Sequence, residues 1–313
     1  MEALVAHGKR WGLEVHVAHS PDSTSKTEFI VVQPAQAHKR RKKMKCDKSP
    51  VKCGNAWFTH AKCKIKGKWE PGVFKYLGSY ITEDLSDDLD VRERISAASR
   101  AFGRFRSQIY ANRGVLAEAK AKAFQAFVLS ILLYQSECWA LRSELQREIC
   151  VFFNRCVRVM TGINRRFQRD LRMTTAQVAR RANLRTCESY ISERCLKWLG
   201  HVARMPDDRL PRQTLFARVR GPRAIGGQQM TTRARLHKLV SSIPAVLEEK
   251  GQHDLKNEFA SMGWVGAAND RTTWAKIVHA MCDIEGDPAV KVNPKAEYIL
   301  EQRPYYVDFD DDD

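Results

Sequence analysis

The segment Ser189-Tyr-Ile-Ser-Glu-Arg-Cys-Leu-Lys-Trp-Leu-Gly-His-Val-Ala-Arg204 sets the fold class of this chain. Ile191, Cys195, Trp198, Leu199 and Val202 recur at three and four residues, which predicts one apolar stripe of an α-helix. The same helix displays Arg194, Lys197, His201 and Arg204. The next residues, Met205-Pro-Asp-Asp-Arg-Leu-Pro211, end it, because Pro206 favours a turn over continued helix. The adjacent carboxylates Asp207 and Asp208 invite comparison with a two-metal phosphoryl-transfer site. Such a pair needs a tight turn between two strands, and here the flank is helical, so no metal is expected there.

Working outward, the helical pattern extends from residue 84 onward. Ile95, Ala98, Phe102, Phe105 and Ile109 form one stripe, and Ala121, Phe124, Val128, Ile131 and Leu132 a second that runs into an aromatic segment, 134–139. Ile149, Phe152, Phe153, Cys156, Val159 and Met160 form a third, closed by Gly162. A shorter helix is expected from Thr174 or Thr175, another over 236–247, and Trp264 and Trp274 bracket a last element. On the N-terminal side, the runs 13–17 and 29–32 read as strands separated by the turn-forming 20–25. The run Val73-Phe-Lys-Tyr-Leu-Gly-Ser-Tyr-Ile81 reads as a strand whose glycine permits a bulge or a close backbone approach. The expected fold is mainly α-helical, with a small antiparallel β element over residues 12–82.

Composition narrows the partners. The chain has 313 residues, of which 43% are hydrophobic and 9% aromatic, ordinary for a globular protein. Lys plus Arg number 53 against 36 acidic residues, a net charge of +17, although Asp308 and Asp310 to Asp313 crowd the last positions. That excess favours a polyanion through counterion release, with nucleic acid ahead of a membrane surface. The run His38-Lys-Arg-Arg-Lys-Lys-Met-Lys45 suits a nuclear-import or nucleic-acid patch, with a solvated loop as the alternative. No secretory signal or membrane span is read, and nine cysteines without a compact framework fit reduced thiols, so nuclear or cytoplasmic localisation is expected.

Several motifs then occur in one order: Phe74-Lys-Tyr-Leu-Gly-Ser79 with Ile81, Leu132-Leu-Tyr-Gln-Ser-Glu-Cys-Trp139, Arg155-Cys-Val-Arg158, and Leu196 to Pro211. Arg220-Gly-Pro-Arg-Ala-Ile-Gly226 and Asp270-Arg-Thr-Thr-Trp274 follow. This succession, covering residues 12–278, closely resembles the distal part of the reverse transcriptases of non-LTR (LINE-type) retrotransposons. The resemblance implies a palm remnant at 1–35, a basic Cys-containing linker at 36–72 and a primer-grip-like strand at 73–82. It further implies thumb-like helices at 83–145, a C-terminal helical region at 146–280 and a Pro-containing acidic tail at 281–313.

On that resemblance Phe74, Lys75, Tyr76, Leu77 and Gly78 look like a primer grip, where a ring packs on sugar-phosphate and a glycine lets the backbone approach. Arg92, Arg94, Arg100, Arg104, Arg106 and Arg113 look like phosphate contacts of the thumb, and Lys197, His201, Arg204 and Arg209 like a basic helix end and loop that touch nucleic acid. Lys26 matches a lysine placed near the incoming triphosphate, where it neutralises charge or donates a proton, with a plain surface lysine as the alternative. Relatives carry their metal-binding aspartates in palm strands that precede Gly12, so the chain alone is expected to be inactive as an RNA-directed DNA polymerase, and Mg²⁺ is expected only for an intact relative. The implied partners are RNA, an RNA–DNA hybrid or DNA, with no membrane; the oligomeric state is open. The alternative is a repurposed, non-enzymatic nuclear nucleic-acid-binding protein. Cys46, Cys53, His60 and Cys63 offer zinc-ligand types, but at gaps longer than common fingers use. No Gly-Lys-Ser/Thr phosphate loop and no Gly-x-Ser-x-Gly elbow occurs.

Overall fold

The computed structural model describes residues 72–83, 85–217 and 231–283 with their side chains, and the backbone of residues 28–29, 51–53, 56–60, 62–65 and 68–71. Lys26, Cys46, the basic run 38–45, the segment 220–226 and the tail beyond 283 lie outside the described residues, as do the side chains of Cys53, His60 and Cys63. The protein is mainly α-helical with small β elements, and it divides into two compact units between Asp90 and Val91.

The first unit holds the strands. β1 (Glu28–Phe29) runs parallel to β3 (Ala56–His60), which pairs antiparallel with β2 (Val51–Cys53). β4 (Lys62–Ile65) and β5 (Lys68–Pro71) form a second antiparallel pair. Strands therefore occupy much of the interval read as a basic linker. In Lys62-Cys-Lys-Ile65 the lysines alternate with apolar residues, a strand period that the charge conceals.

β6 (Val73–Tyr76) and β7 (Ser79–Thr82) form a hairpin, in register from Val73 opposite Thr82 to Tyr76 opposite Ser79. Leu77 and Gly78 make the two-residue turn with φ of 46° and 90°, the left-handed pair that matches strand twist. The glycine thus serves a turn, where the sequence alone suggested a bulge in one strand. Asp90, itself buried, secures β7 by accepting hydrogen bonds from the Tyr80 amide at 3.1 Å and the Ser79 hydroxyl at 3.2 Å.

Helix α1 (Asp88–Arg104) opens on Asp88 and Asp90 and carries Arg104 in its last turn, each sign placed where the helix dipole favours it. From Val91 onward it belongs to the second unit, where Ala98 and Phe102 face the core as the stripe predicts. A π-helical turn over Arg106–Tyr110 then adds a residue per turn and rotates the buried face. Tyr110 consequently takes the inner position expected of Ile109, which is half-buried. The Tyr110 ring lies parallel to Phe102 at 4.5 Å, and Phe124 meets both edge-on. Phe124 belongs to α2 (Ala117–Phe124), which passes through a second π-helical turn, Gln125–Leu129.

α3 (Ser143–Thr161) buries Leu145, Ile149, Phe153, Cys156, Val157 and Met160 and ends on Gly162 in the left-handed conformation, as its sequence predicts. Lys120 of α2 is buried, yet its ammonium donates to the Met160 carbonyl at 3.3 Å, where the negative end of α3 favours a cation. Burial lowers its pKa. α4 (Arg165–Asp170) is capped by Asn164, and α5 (Thr175–Arg181) by a reciprocal box in which Thr174 and Gln177 bond each other's backbone amides.

α6 (Cys187–Ala203) starts on the Thr186 cap, close to the predicted 189–204. α7 (Leu210–Phe216) follows the Pro206 turn. The single helix expected over 236–247 is two, α8 (Thr232–Ser241) and α9 (Ile243–Glu249), because Pro244 suits a helix start and not an interior. α10 (His253–Asn269) kinks at Gly263, whose φ is 65°, and α11 (Arg271–Cys282) begins on the Asp270 cap.

Candidate nucleic-acid interface

α6 and α11 run antiparallel. The Ser189 hydroxyl near the start of α6 donates to the Cys282 carbonyl at the end of α11 at 2.5 Å. Midway, the Trp274 indole N–H donates to the Leu196 carbonyl at 3.0 Å. Trp274 lies so close over Gly200 that a Cβ at Gly200 would clash with the indole Nε1 and Cδ1. At the far end the Arg204 guanidinium donates to the Ala268 carbonyl, in the last turn of α10, at 2.6 Å. Leu199-Gly-His201 and Asp270-Arg-Thr-Thr-Trp274, distant in sequence, are therefore two halves of one packing arrangement. Burying Ile277 and Val278 beside Trp274 adds about 2 kcal/mol per side chain.

The Asp270 motif prepares this contact. The Asp270 carboxylate caps α11 by accepting from the Thr272 amide at 2.9 Å, and it accepts from the Thr273 hydroxyl at 2.7 Å. Hydrogen bonds from Thr273 and Thr272 hold its pKa down at about 2. The cap starts the helix one turn before Trp274, which aims the indole at α6.

Above the packed aromatic lies an open cavity of about 760 Å³. Lys197 and His201 of α6 and Arg204 at its C-cap line it on one side, and Arg271 and His279 of α11 on the other, with Arg185 and Glu193 toward the start of α6. Helical spacing puts Glu193, Lys197, His201 and Arg204 on one face over three turns, roughly 16 Å. The structure thus brings together three of the residues singled out in sequence and adds Arg271, His279 and Arg185. Arg271 stands inside a motif already noted. Arg185 carried no sequence signal.

The charges are not uniform along the cavity. At the Arg185 end, Glu193 accepts from Lys197 at 2.6 Å and is bonded by Arg185, whose guanidinium also lies 4.5 Å over the Tyr190 ring. Burial of Glu193 raises its pKa, but the bonds and charges of Lys197 and Arg185 outweigh that and leave it lowered. Asp283 lines the same end. At the opposite end, partial burial and the adjacent positive charge of Arg271 lower the Arg204 pKa. An arginine stays charged through such a shift, so two like charges face one opening.

The other predicted contacts lie elsewhere. Arg209 is exposed at the N-cap position of α7, outside the cavity. Beside it Arg212 bonds Asp207 at 2.6 Å and sits 5.2 Å from the Phe216 ring. On α1, Arg92, Arg100 and Arg104 are exposed and fall within an arc of about 120° of helix surface. Arg92 pairs with Glu148 at 3.5 Å, and Arg100 bonds the Ser96 hydroxyl at 2.8 Å. Arg94, half-buried, lies instead over the exposed Tyr134 ring at 4.4 Å. In the first unit, Phe74 stacks on Tyr76 at 6.1 Å, Lys75 lies 5.4 Å from the Tyr80 ring, and Tyr76 and Leu77 are exposed at the hairpin tip.

Among the described residues no group of His, Cys, Asp and Glu has the arrangement of a metal site, and no helix is long and apolar enough to cross a membrane. Comparison with protein-family models, curated proteins and solved structures yields no match to this chain.

Proposed function

We propose that this chain is the thumb-side and downstream part of a reverse-transcriptase-like protein of the non-LTR type, and that it binds RNA or an RNA–DNA hybrid through backbone phosphates. The observation that carries the reading is the cavity between α6 and α11, which gathers His201, Arg204 and Arg271 from two of the motifs on which the resemblance rests. The net charge of +17 supports a polyanion partner. The exposed arginines of α1 and the exposed Tyr76 and Leu77 of the hairpin supply further surfaces, one for phosphates and one for sugar or base. Contacts to backbone phosphates carry no sequence information, so the binding proposed is sequence-tolerant.

Fluorescence anisotropy with a labelled RNA–DNA hybrid tests this reading. Affinity should fall steeply as salt rises from about 50 to 200 mM, because each neutralised phosphate releases counterions. Absence of binding, or affinity independent of salt, overturns it.

A further inference from the structure

We propose that Arg271, with Arg204 beside it, seats one backbone phosphate of the bound strand, and that Lys197 makes no phosphate contact although it lines the same cavity. This assignment rests on the nucleic-acid reading above and divides the cavity into a working end and a paired end. Lys197 and Arg185 both bond Glu193, so each of these cations already has a carboxylate partner. Lys250 bonds the Asp283 carbonyl there as well, adding another cation beside the Asp283 and Glu193 carboxylates.

The Arg204 end differs in three respects. Its nearest cavity carboxylates, Glu193 on α6 and Asp283 on α11, lie about three helical turns away, roughly 16 Å, beyond the reach of unscreened attraction at physiological salt. Asp270, adjacent in sequence to Arg271, already accepts bonds from Thr272 and Thr273. The Arg204 guanidinium is held by the Ala268 carbonyl, so its remaining N–H groups are pre-oriented and lose little freedom on binding. His201, exposed one turn before Arg204, borders the same opening. Two guanidiniums facing one opening repel each other. A phosphate between them relieves that repulsion and accepts their forked N–H donors.

The test measures hybrid binding by the full chain across a salt series for wild type, R271Q, R271K and K197Q. R271Q should weaken binding roughly tenfold and reduce the slope of log affinity against log salt by about one. R271K should keep the slope, because charge alone sets it. K197Q should leave slope and affinity close to wild type. Unchanged melting temperatures establish that each variant is folded. A hybrid whose strands carry an uncharged methylphosphonate backbone should bind wild type and R271Q equally; a difference there overturns the phosphate assignment. Wild-type binding with R271Q matching it in slope overturns this inference and leaves the nucleic-acid reading standing. Failure of the wild type to bind overturns both.

Discussion

The β6–β7 hairpin and the α6–α11 cavity each join an aromatic, a glycine and a cation, and they do so by opposite means. In the hairpin, Gly78 contributes a backbone conformation, and the neighbouring Tyr76 and Leu77 project into solvent. In the cavity, Gly200 contributes the absence of a side chain, and Trp274 fills the space and disappears from the surface. The first is a local device, complete within ten residues of chain. The second exists only when segments more than 70 residues apart have met. An aromatic-glycine motif therefore marks an exposed turn in one place and a buried helix contact in another.

The comparison can be broken most sharply at Trp274. Replacing it with alanine should cost about 3–5 kcal/mol in chemical denaturation, the range for a buried tryptophan; a cost below 1 kcal/mol would mean that the ring is not the anchor between α6 and α11. Gly200→Ala comes next. In an exposed helix that change stabilises by about 1 kcal/mol, but with the indole in place it should destabilise by about 1–3 kcal/mol through overpacking. The sign alone tells the two situations apart.

The hairpin should respond in the other direction. Leu77→Asn relieves a left-handed residue with a bulky side chain and should gain about 1 kcal/mol. If the tip meets nucleic acid, the same change weakens hybrid binding while melting temperature rises, an opposition no packing role produces. The smallest effect concerns Asp270. Its folded pKa of about 2 lies below the ordinary carboxylate value, so the stability it contributes is complete above about pH 4 and is lost as pH falls through about 2. The wild-type melting temperature should therefore drop more than that of Asp270→Asn between pH 4 and pH 2, and parallel curves would remove Asp270 from the account.

Local features were legible in the sequence and relational ones were not. The stripes of α1, α3 and α6, the Gly162 cap and the Thr174 start follow from periodicity and capping chemistry within a few residues. The π-helical turn before Tyr110 left no such trace, since slipping a hydrogen bond by one residue changes the face without changing composition. Leu77-Gly78 escaped as a turn because leucine is a poor left-handed residue and the usual Asn-Gly signal is missing. Of the predicted contacts, Lys197, His201 and Arg204 share a helix face and were found together. Their partner Arg271 stands out only as one residue of Asp270-Arg-Thr-Thr-Trp274, because nothing in a linear pattern shows which helix lies opposite. Several motif residues are interior: Leu132, Trp139, Cys156, Leu196 and Gly200 are all buried.

The fit of Trp274 over Gly200 also governs how the second unit tolerates dissection. A piece ending anywhere between Arg204 and Asp270 keeps α6 intact and removes the helix that covers it. Leu196, Leu199 and the notch at Gly200 would then form a bare apolar strip, and such strips draw copies of a protein together. Expression of pieces stopping before Trp274 should give insoluble or self-associated material, whereas pieces reaching Asp283 should stay dispersed. The practical boundary of this unit is thus set by one indole ring and the helix that carries it.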